Sequence, residues 1–311
     1  MKNEHSNIIF LSDGKLNIFN EDALDFLQKL ENESIDLIYC DLPFGTTQCS
    51  WDEVIPFDKM WEQVIRIAKQ NTPIVFHAQQ PFTSALIMSN PKMFKYTWVW
   101  EKSKATGFLN AKKRPLVAHE DIIVFCKGTP VYYPQMTEGA AYNKGVRKQQ
   151  TKNDVYGSFE QVEVKSDGLR YPRSVQYFKT AESEGKTWHK TQKPKDLCKY
   201  IIETYSKQGD VVLDFTAGSG TTAIGLEIGR TIVLVEKNLN EFEKLKERWE
   251  EKNNITEYKH KTSTENHTQA LHIASVIKSV CLCEKPVWGN DPNDNEIFCT
   301  KCGQAKRQTV L

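Results

Sequence analysis

The sequence predicts an α/β protein with an open, mostly parallel sheet, an irregular insertion and a small cysteine-bearing tail, and three observations carry that prediction. Residues 35–40, apolar except for Asp36, stop abruptly on Asp41-Leu42-Pro43-Phe44-Gly45. Residues 211–213 form a second apolar run, which stops on Asp214-Phe215-Thr216-Ala217-Gly218-Ser219-Gly220-Thr221-Thr222 and leads into an apolar helical pattern through Ile228. Residues 129–188 then break the alternation, being rich in Tyr, Lys, Arg, Gln and Asn. Near-continuous apolar runs mark strands buried on both faces, and ligands bind beyond the carboxyl ends of such strands. At 311 residues, 39% hydrophobic and 26% charged, the chain can bury a full core and carry an appendage.

In chain order, residues 16–19 read as a short strand, and Asn20-Glu21-Asp22 opens a helix with Leu24, Leu27 and Leu30 on its inner face. Asn20 or Asp22 serves as its N-cap, and capping by Asn20 leaves Asp22 free for another role. The strand at 35–41 is stopped by Pro43, which cannot donate a ladder hydrogen bond. Its terminal cluster is either a tight turn with a capping Asp or a reactive site. The chemistry that suits it is activation of an exocyclic amine, whose lone pair is delocalised into a nucleobase ring. The Asp41 carboxylate and the main-chain carbonyl of Leu42 would localise that lone pair by accepting from its N–H groups, with Phe44 stacking on the base and Pro43 fixing the backbone.

Residues 45–51 are polar and form a candidate lid, and Trp51 within them is either a core anchor or a base contact. A helix is expected from about residue 58 to 70, with Met60, Trp61, Val64, Ile65 and Ala68 on its core face. Strands follow at 73–78, 96–100 and 121–126, with a helix between Pro81 and Met88; His77, at a strand end, reads as structural. Residues 101–115 form a loop in which Lys102, Lys104, Lys112, Lys113 and Arg114 flank a Gly107-Phe108-Leu109-Asn110 tip. Such a loop either holds phosphates, with Phe108 and Asn110 reaching a base, or is a solvated turn.

Charge distribution favours the first of these. Residues 101–195 hold 18 Lys/Arg and 10 Asp/Glu, whereas the remaining 216 hold 23 and 30, so a basic middle sits on an acidic body. Within residues 129–188, Tyr132, Tyr133, Tyr142, Tyr156, Tyr171 and Tyr177 alternate with basic residues, which suits base reading in a groove or, alternatively, an insertion with buried tyrosines.

Trp188-His189-Lys190-Thr191-Gln192-Lys193-Pro194 introduces a helix whose inner face carries Leu197, Tyr200, Ile201 and Tyr205, with Pro194 near the first turn. The glycine turn at 218–220 permits close approach of backbone to a ligand, and the following helix start offers free N–H groups. The next strand, 231–235, ends on Glu236, placed to accept from ribose hydroxyls. The turn lacks both GxGxxG and GxxxxGK[ST], which argues against dinucleotide and nucleotide-triphosphate sites. A charged helix is expected over residues 238–252, then a polar linker.

The tail carries Cys281-Leu282-Cys283 and Cys299-Thr300-Lys301-Cys302-Gly303. Two thiolate pairs grouped in this way match a closed tetrahedral structural zinc site formed by Cys281, Cys283, Cys299 and Cys302, the alternative being free or redox-active thiols. The other four cysteines are scattered singly, which fits a reducing cytoplasm, and no run of 18 apolar residues suggests a membrane span.

Taken together, Asp41-Leu42-Pro43-Phe44, Thr191-Gln192-Lys193-Pro194 and Asp214-Phe215-Thr216-Ala217-Gly218-Ser219-Gly220 resemble the motifs of the DNA amino-methyltransferases. Their catalytic signature is Asp, Asn or Ser, two prolines and an aromatic residue, and the order here, catalytic motif first, resembles the β group. The resemblance covers roughly residues 16–250; Leu42 departs from the usual proline, and Lys190 stands where many relatives have proline. It implies a Rossmann-like domain transferring methyl from S-adenosylmethionine to an exocyclic amine of double-stranded DNA, with adenine N6 preferred over cytosine N4 because Asp leads the motif. It further implies catalytic roles for Asp41, Leu42, Pro43 and Phe44. Cofactor contacts are implied for Asp22, Thr191, Lys193, the turn from Asp214 to Thr222, and Glu236, and target recognition for the insertion.

The expected organisation is a catalytic half at 1–128, a target-recognition insertion at 129–188, a cofactor-binding half at 189–252, a linker at 253–275 and a zinc-ribbon-like module at 276–311. An RNA or protein amine methyltransferase and a silent DNA-binding subunit are the alternatives. A homodimer and a cognate restriction endonuclease are partners the sequence leaves open.

Overall fold

The computed structural model describes residues 8–11, 15–46, 52–146, 163–189, 191–253, 288–290, 297–299 and 305–306. Residues 47–51 of the expected lid with Trp51, and Tyr156, Lys190, nearly all of the linker, and Cys281, Cys283 and Cys302 lie outside them.

The N-terminal part runs β1 (Ile8–Leu11), β2 (Leu16–Phe19), α1 (Ala23–Lys29), β3 (Leu37–Asp41), α2 (Phe57–Ile67), β4 (Ile74–Ala78), α3 (Phe82–Ser89), β5 (Phe94–Thr106) and β6 (Val117–Phe125). Two short ribbons follow, β7 (Thr137–Glu138) with β10 (Leu169–Arg170) and β8 (Tyr142–Val146) with β9 (Glu163–Ser166). Then come β11 (Val175–Phe178), α4 (Lys195–Tyr205), β12 (Val211–Asp214), a 3-10 helix at Thr221–Ile228, β13 (Thr231–Val235) and α5 (Leu239–Asn253). In the tail, β14 (Trp288–Asn290), β15 (Ile297–Cys299) and β16 (Ala305–Lys306) form an antiparallel sheet.

One mixed sheet orders the described residues as β1-β2-β13-β12-β3-β4-β6-β5-β11. Its centre, from β2 through β13, β12 and β3 to β4, is parallel. The apolar run at 37–40 is continuous because both faces of β3 are covered. Ile38 and Cys40 join the core with Phe26 and Leu27 of α1 and Met60, Trp61 and Val64 of α2, while Leu37 and Tyr39 join Leu197, Ile201 and Tyr205 of α4. From β3 the chain proceeds outward to β4, and from β12 it proceeds the other way to β13. The carboxyl ends of β3 and β12 therefore flank the point where strand order reverses, where a crevice opens in such sheets.

Four expectations need correction. The loop at 101–115 is the distal half of a β-hairpin, since β5 and β6 pair well past the core as far as Thr106 and Val117. Backbone pairing continues there without apolar side chains, which is why periodicity missed it. Helix α2 ends at Ile67, because Ala68 turns extended to bridge Ile35; Ile65 is exposed and Ile67 takes the buried position. The insertion is not wholly irregular: besides the ribbons, β11 pairs with β5 and widens the main sheet. The apolar stretch after the glycine turn is 3-10 rather than α. No helix among the described residues is long and apolar enough to cross a membrane.

Candidate active site

The end of β3 delivers Asp41 into a crevice bounded by β4, β6, β12 and the segment before α4. Asp41 Oδ2 accepts from Lys193 Nζ at 2.5 Å, and its main-chain oxygen accepts from Thr216 Oγ1 at 3.1 Å. Asp41 Oδ1 is buried and has no hydrogen-bond partner among the described residues. A buried acceptor left unmet costs about 1–3 kcal/mol, so it marks a place where a donor belongs. Leu42 is buried, in the same core cluster as Phe26 and Leu27. Phe44 is half-buried, with its ring 5.1 Å from that of Phe82 and 6.0 Å from Lys193 Nζ. Gly45, in the left-handed region at φ +67, and Thr46 donate their N–H groups to the Asp52 carboxylate at 2.8 and 2.9 Å, which fixes the exit of the chain.

Behind Asp41 lies a buried ionic cluster that sequence reasoning did not find. Lys193 Nζ also stands 3.4 Å from Glu120 Oε2, and Glu120 Oε1 accepts from Lys102 Nζ at 2.5 Å. Burial alone would raise the Glu120 carboxyl, but Lys193, His77 and Lys102 outweigh it and hold it far below the usual carboxylate range. Burial likewise works against the Lys193 charge, yet Asp41 and Glu120 keep the ammonium firmly protonated. His77 is buried, hydrogen-bonded to Tyr39 Oη at 2.8 Å and 3.8 Å from Glu120; burial lowers its pKa. The only clue in the sequence was Glu120-Asp121 opening an apolar run.

On the neighbouring strand, Asp214 has both oxygens occupied, Oδ1 by Thr216 N at 3.1 Å and Oδ2 by Thr222 Oγ1 at 2.6 Å. Burial outweighs those bonds and pushes its pKa up to about 7. Gly218 and Gly220 adopt left-handed backbone at φ +49 and +66. A Cβ at Gly220 would come within 2.9 Å of Leu245, whereas at Gly218 it would meet open space, so the turn packs inward on one side and leaves room on the other. Glu236, at the end of β13, accepts from Gly218 N at 2.8 Å and Asn238 N at 2.7 Å; burial still raises its pKa. Ala217 N bonds the Val235 carbonyl, and Ser219 is buried with its hydroxyl 3.2 Å from that of Thr221. Arg248 of α5, also buried, donates to the Ser219 carbonyl at 2.5 Å and to Thr221 Oγ1 at 3.3 Å. Its spacing from Phe242, Leu245 and Trp249 puts it beside the apolar stripe of α5, a signal that was readable.

Asp22, not Asn20, caps α1: its carboxylate accepts from Leu24 N at 2.9 Å and pairs with Lys237 at 3.0 Å. Asn20 instead donates to the carbonyls of Glu236 and Lys237, tying β2 to the end of β13. Thr191 is exposed, its hydroxyl 2.9 Å from His189 Nδ1. Lys193 reaches Asp41 and Glu120, on the catalytic side of the crevice. Lys102 does not stand on the surface with Lys104, Lys112, Lys113 and Arg114; it is buried at the hairpin base against Glu120 and over the Trp100 ring. The hairpin tip is bare, with Phe108 76% and Leu109 84% exposed. Among the described residues no group of side chains could hold a metal ion.

The model of the N6/N4 DNA methylases matches residues 35–247. Type II methyltransferase M1.MboII of Moraxella bovis is 28% identical over 242 residues, covering 71% of this chain and 91% of that protein. DNA adenine methyltransferase YhdJ of Escherichia coli K12 is 29% identical over 240 residues, covering 71% and 78%. Among solved structures, the complex of M1.HpyAVI with SAM superposes with a TM-score of 0.51 at 21% identity, covering 75% of this chain and 99% of that one, and so shares the fold. The family match begins just before the strand that presents Asp41, runs through the glycine turn and ends in the helix that braces it: this chain belongs to the N6/N4 DNA methylase family.

Proposed function

We propose that this protein transfers a methyl group from S-adenosylmethionine to the exocyclic N6 of adenine in double-stranded DNA, acting on a base rotated out of the helix. The observation that carries the reading is the buried, partnerless Oδ1 of Asp41 at the topological switch point. It offers an amine donor a preformed acceptor in a water-poor site, where such a contact is strongest. Rotation of the base is required because an amine inside a stacked duplex cannot reach the end of β3.

The second half of the crevice fits the cofactor. The open side of Gly218 admits a ligand against the backbone, and Glu236, bonded to Gly218 N at the end of β13, is assigned the ribose hydroxyls. When bound, S-adenosylmethionine supplies an electrophilic methyl group. Asp41 Oδ1 accepts one N–H of the amine and is assigned, with the Leu42 carbonyl, the task of gathering its lone pair toward that methyl. Phe44 stacks on the base, held from behind by Phe82. Lys104, Lys112, Lys113 and Arg114 are assigned to phosphates, and the tyrosine-rich ribbons to base reading.

Adenine is preferred because Asp leads the catalytic motif and YhdJ, a DNA adenine methyltransferase, is among the relatives. The second reading, cytosine N4, draws on a family model that spans both amines. Expression in a methylation-deficient bacterium, followed by single-molecule sequencing of its genome, decides. N6-methyladenine in one short motif is expected; N4-methylcytosine overturns the base, and an unmodified genome beside a folded protein overturns the reaction.

A further inference from the structure

We propose that Lys193 is a positioning residue which, anchored by Glu120, holds one oxygen of Asp41 so that the other is presented to the target amine. The proposal rests on the methyltransferase reading above and assigns Lys193 a task different from the cofactor contact expected of its motif. The geometry is asymmetric in the way such a task requires. Lys193 Nζ lies 2.5 Å from Asp41 Oδ2, while Oδ1 is buried and unmet. A carboxylate turns about its last torsion in a broad, roughly two-fold well, so an untethered Asp41 would offer either oxygen over a range of planes. A fixed ammonium on one oxygen removes that freedom, and Thr216 Oγ1 on the Asp41 carbonyl removes it from the backbone.

Lys193 is itself prevented from wandering. Its side chain is only 11% exposed, and Glu120, 3.4 Å away on β6, is a second acid on the same ammonium. Glu120 is in turn held by Lys102 from β5 at 2.5 Å, so two acids and two ammonium groups balance in one buried cluster drawn from β3, β5, β6 and the segment before α4. Buried ion clusters contribute little net stability, because desolvation consumes most of the Coulomb gain. What they do supply is a fixed geometry, and here it reaches Asp41, whose Oδ1 is unmet among the described residues; Glu120 Oε2, also without a hydrogen bond, faces the Lys193 ammonium at 3.4 Å instead.

The test uses the full-length chain, duplex DNA bearing its own recognition site, and the variants K193M, K193R, E120Q and K193M/E120Q. Labelled-methyl transfer gives kcat and KM, calorimetry gives cofactor affinity, and thermal unfolding gives stability. K193M is expected to lose about 100-fold in kcat, the scale of a misplaced catalytic group, with cofactor affinity unchanged. K193R, which keeps a cation with two-point reach, should recover to within about tenfold of the parent. The double variant removes one charge of each sign and should regain the thermal stability lost in K193M while kcat stays low. Three results overturn the proposal: K193M turning over like the parent, K193M losing cofactor affinity but not kcat at saturation, or the double variant regaining kcat along with stability. A parent chain that transfers no methyl group overturns the underlying reading, and this one with it, and is distinguishable from all three.

Discussion

Two aspartates end neighbouring parallel strands of one sheet, Asp41 two residues beyond the level of Asp214, and they are built for opposite purposes. Asp41 closes β3 with one oxygen on an ammonium and the other buried without a partner. Asp214 closes β12 with both oxygens taken by Thr216 N and Thr222 Oγ1 and no ion pair among the described residues. Phe215 directly follows Asp214 and Phe44 comes three residues after Asp41, and each aspartate ends an apolar run. A carboxylate whose acceptor capacity is spent internally shapes the backbone around it; one that keeps capacity in reserve can act on something that arrives. The difference lies entirely in their neighbours, Lys193 against Thr222.

If that contrast is right, removing Asp41 costs the most. Asp41→Ala should lower methyl transfer by about 10³-fold or more, the scale seen when a preorganised transition-state contact is deleted. Cofactor affinity should stay near that of the parent, because the glycine turn does not depend on that side chain, while thermal stability should fall, because the deletion leaves the Lys193 ammonium without one of its two acids. Labelled-methyl transfer beside calorimetry reads both at once, and a variant that still turns over would break the comparison at its catalytic end.

The sequence made both aspartates visible and hid what separates them. Apolar runs ended by Asp41-Leu42-Pro43-Phe44 and by the Asp214 turn are local patterns, and the strands they predicted form where expected. The partners are not local. Lys193 lies 152 residues from Asp41, and Glu120 and Lys102 reach it only because β5 and β6 fold back as a hairpin beside β4. Charge counting sorted Lys102 with its surface neighbours, since composition carries no burial. Asp22 was ambiguous for a different reason: Asn20 and Asp22 are both good caps, and the choice turned on Asn20 being drawn to the end of β13. Arg248 was hidden in a helix that reads as charged all round, although its spacing from Leu245 and Trp249 gave it away.

Asp214 yields the next effect, and it is one of stability against pH. Its folded pKa is raised to about 7 from 3.8. The folded protein therefore binds a proton there more tightly than the unfolded chain, so stability from this group is fully present below about pH 4 and is lost as pH rises to about 7. Asp214→Asn keeps the Oδ1 acceptor for Thr216 N and cannot ionise. Relative to the parent, the variant should gain stability steadily between pH 4 and 7, by up to a few kcal/mol at neutrality, on the order set by that shift. Denaturant unfolding at a series of pH values gives the difference curve. A flat one would show that Asp214 is ionised as readily as an exposed acid, and the contrast between the two aspartates would weaken.

The smallest effect tests the bracing of the turn that Asp214 shapes. Arg248 closes the turn from outside, on the Ser219 carbonyl and the Thr221 hydroxyl, while Asp214 closes it from inside through Thr222. Burial lowers the Arg248 pKa to about 10, still well above neutrality, so it works as a cation across the ordinary range. Arg248→Met fills similar volume but leaves the Ser219 carbonyl without its donor, a loss of about 1–3 kcal/mol for a buried group. Part of that loss should appear as stability and part as cofactor affinity, weakened about tenfold, while kcat at saturating cofactor stays near the parent value because Asp41 and its ion cluster are untouched. A fall in kcat at unchanged affinity would mean that the two strand ends are coupled through Thr216, which touches both aspartates, and that holding and acting are not separable in this sheet.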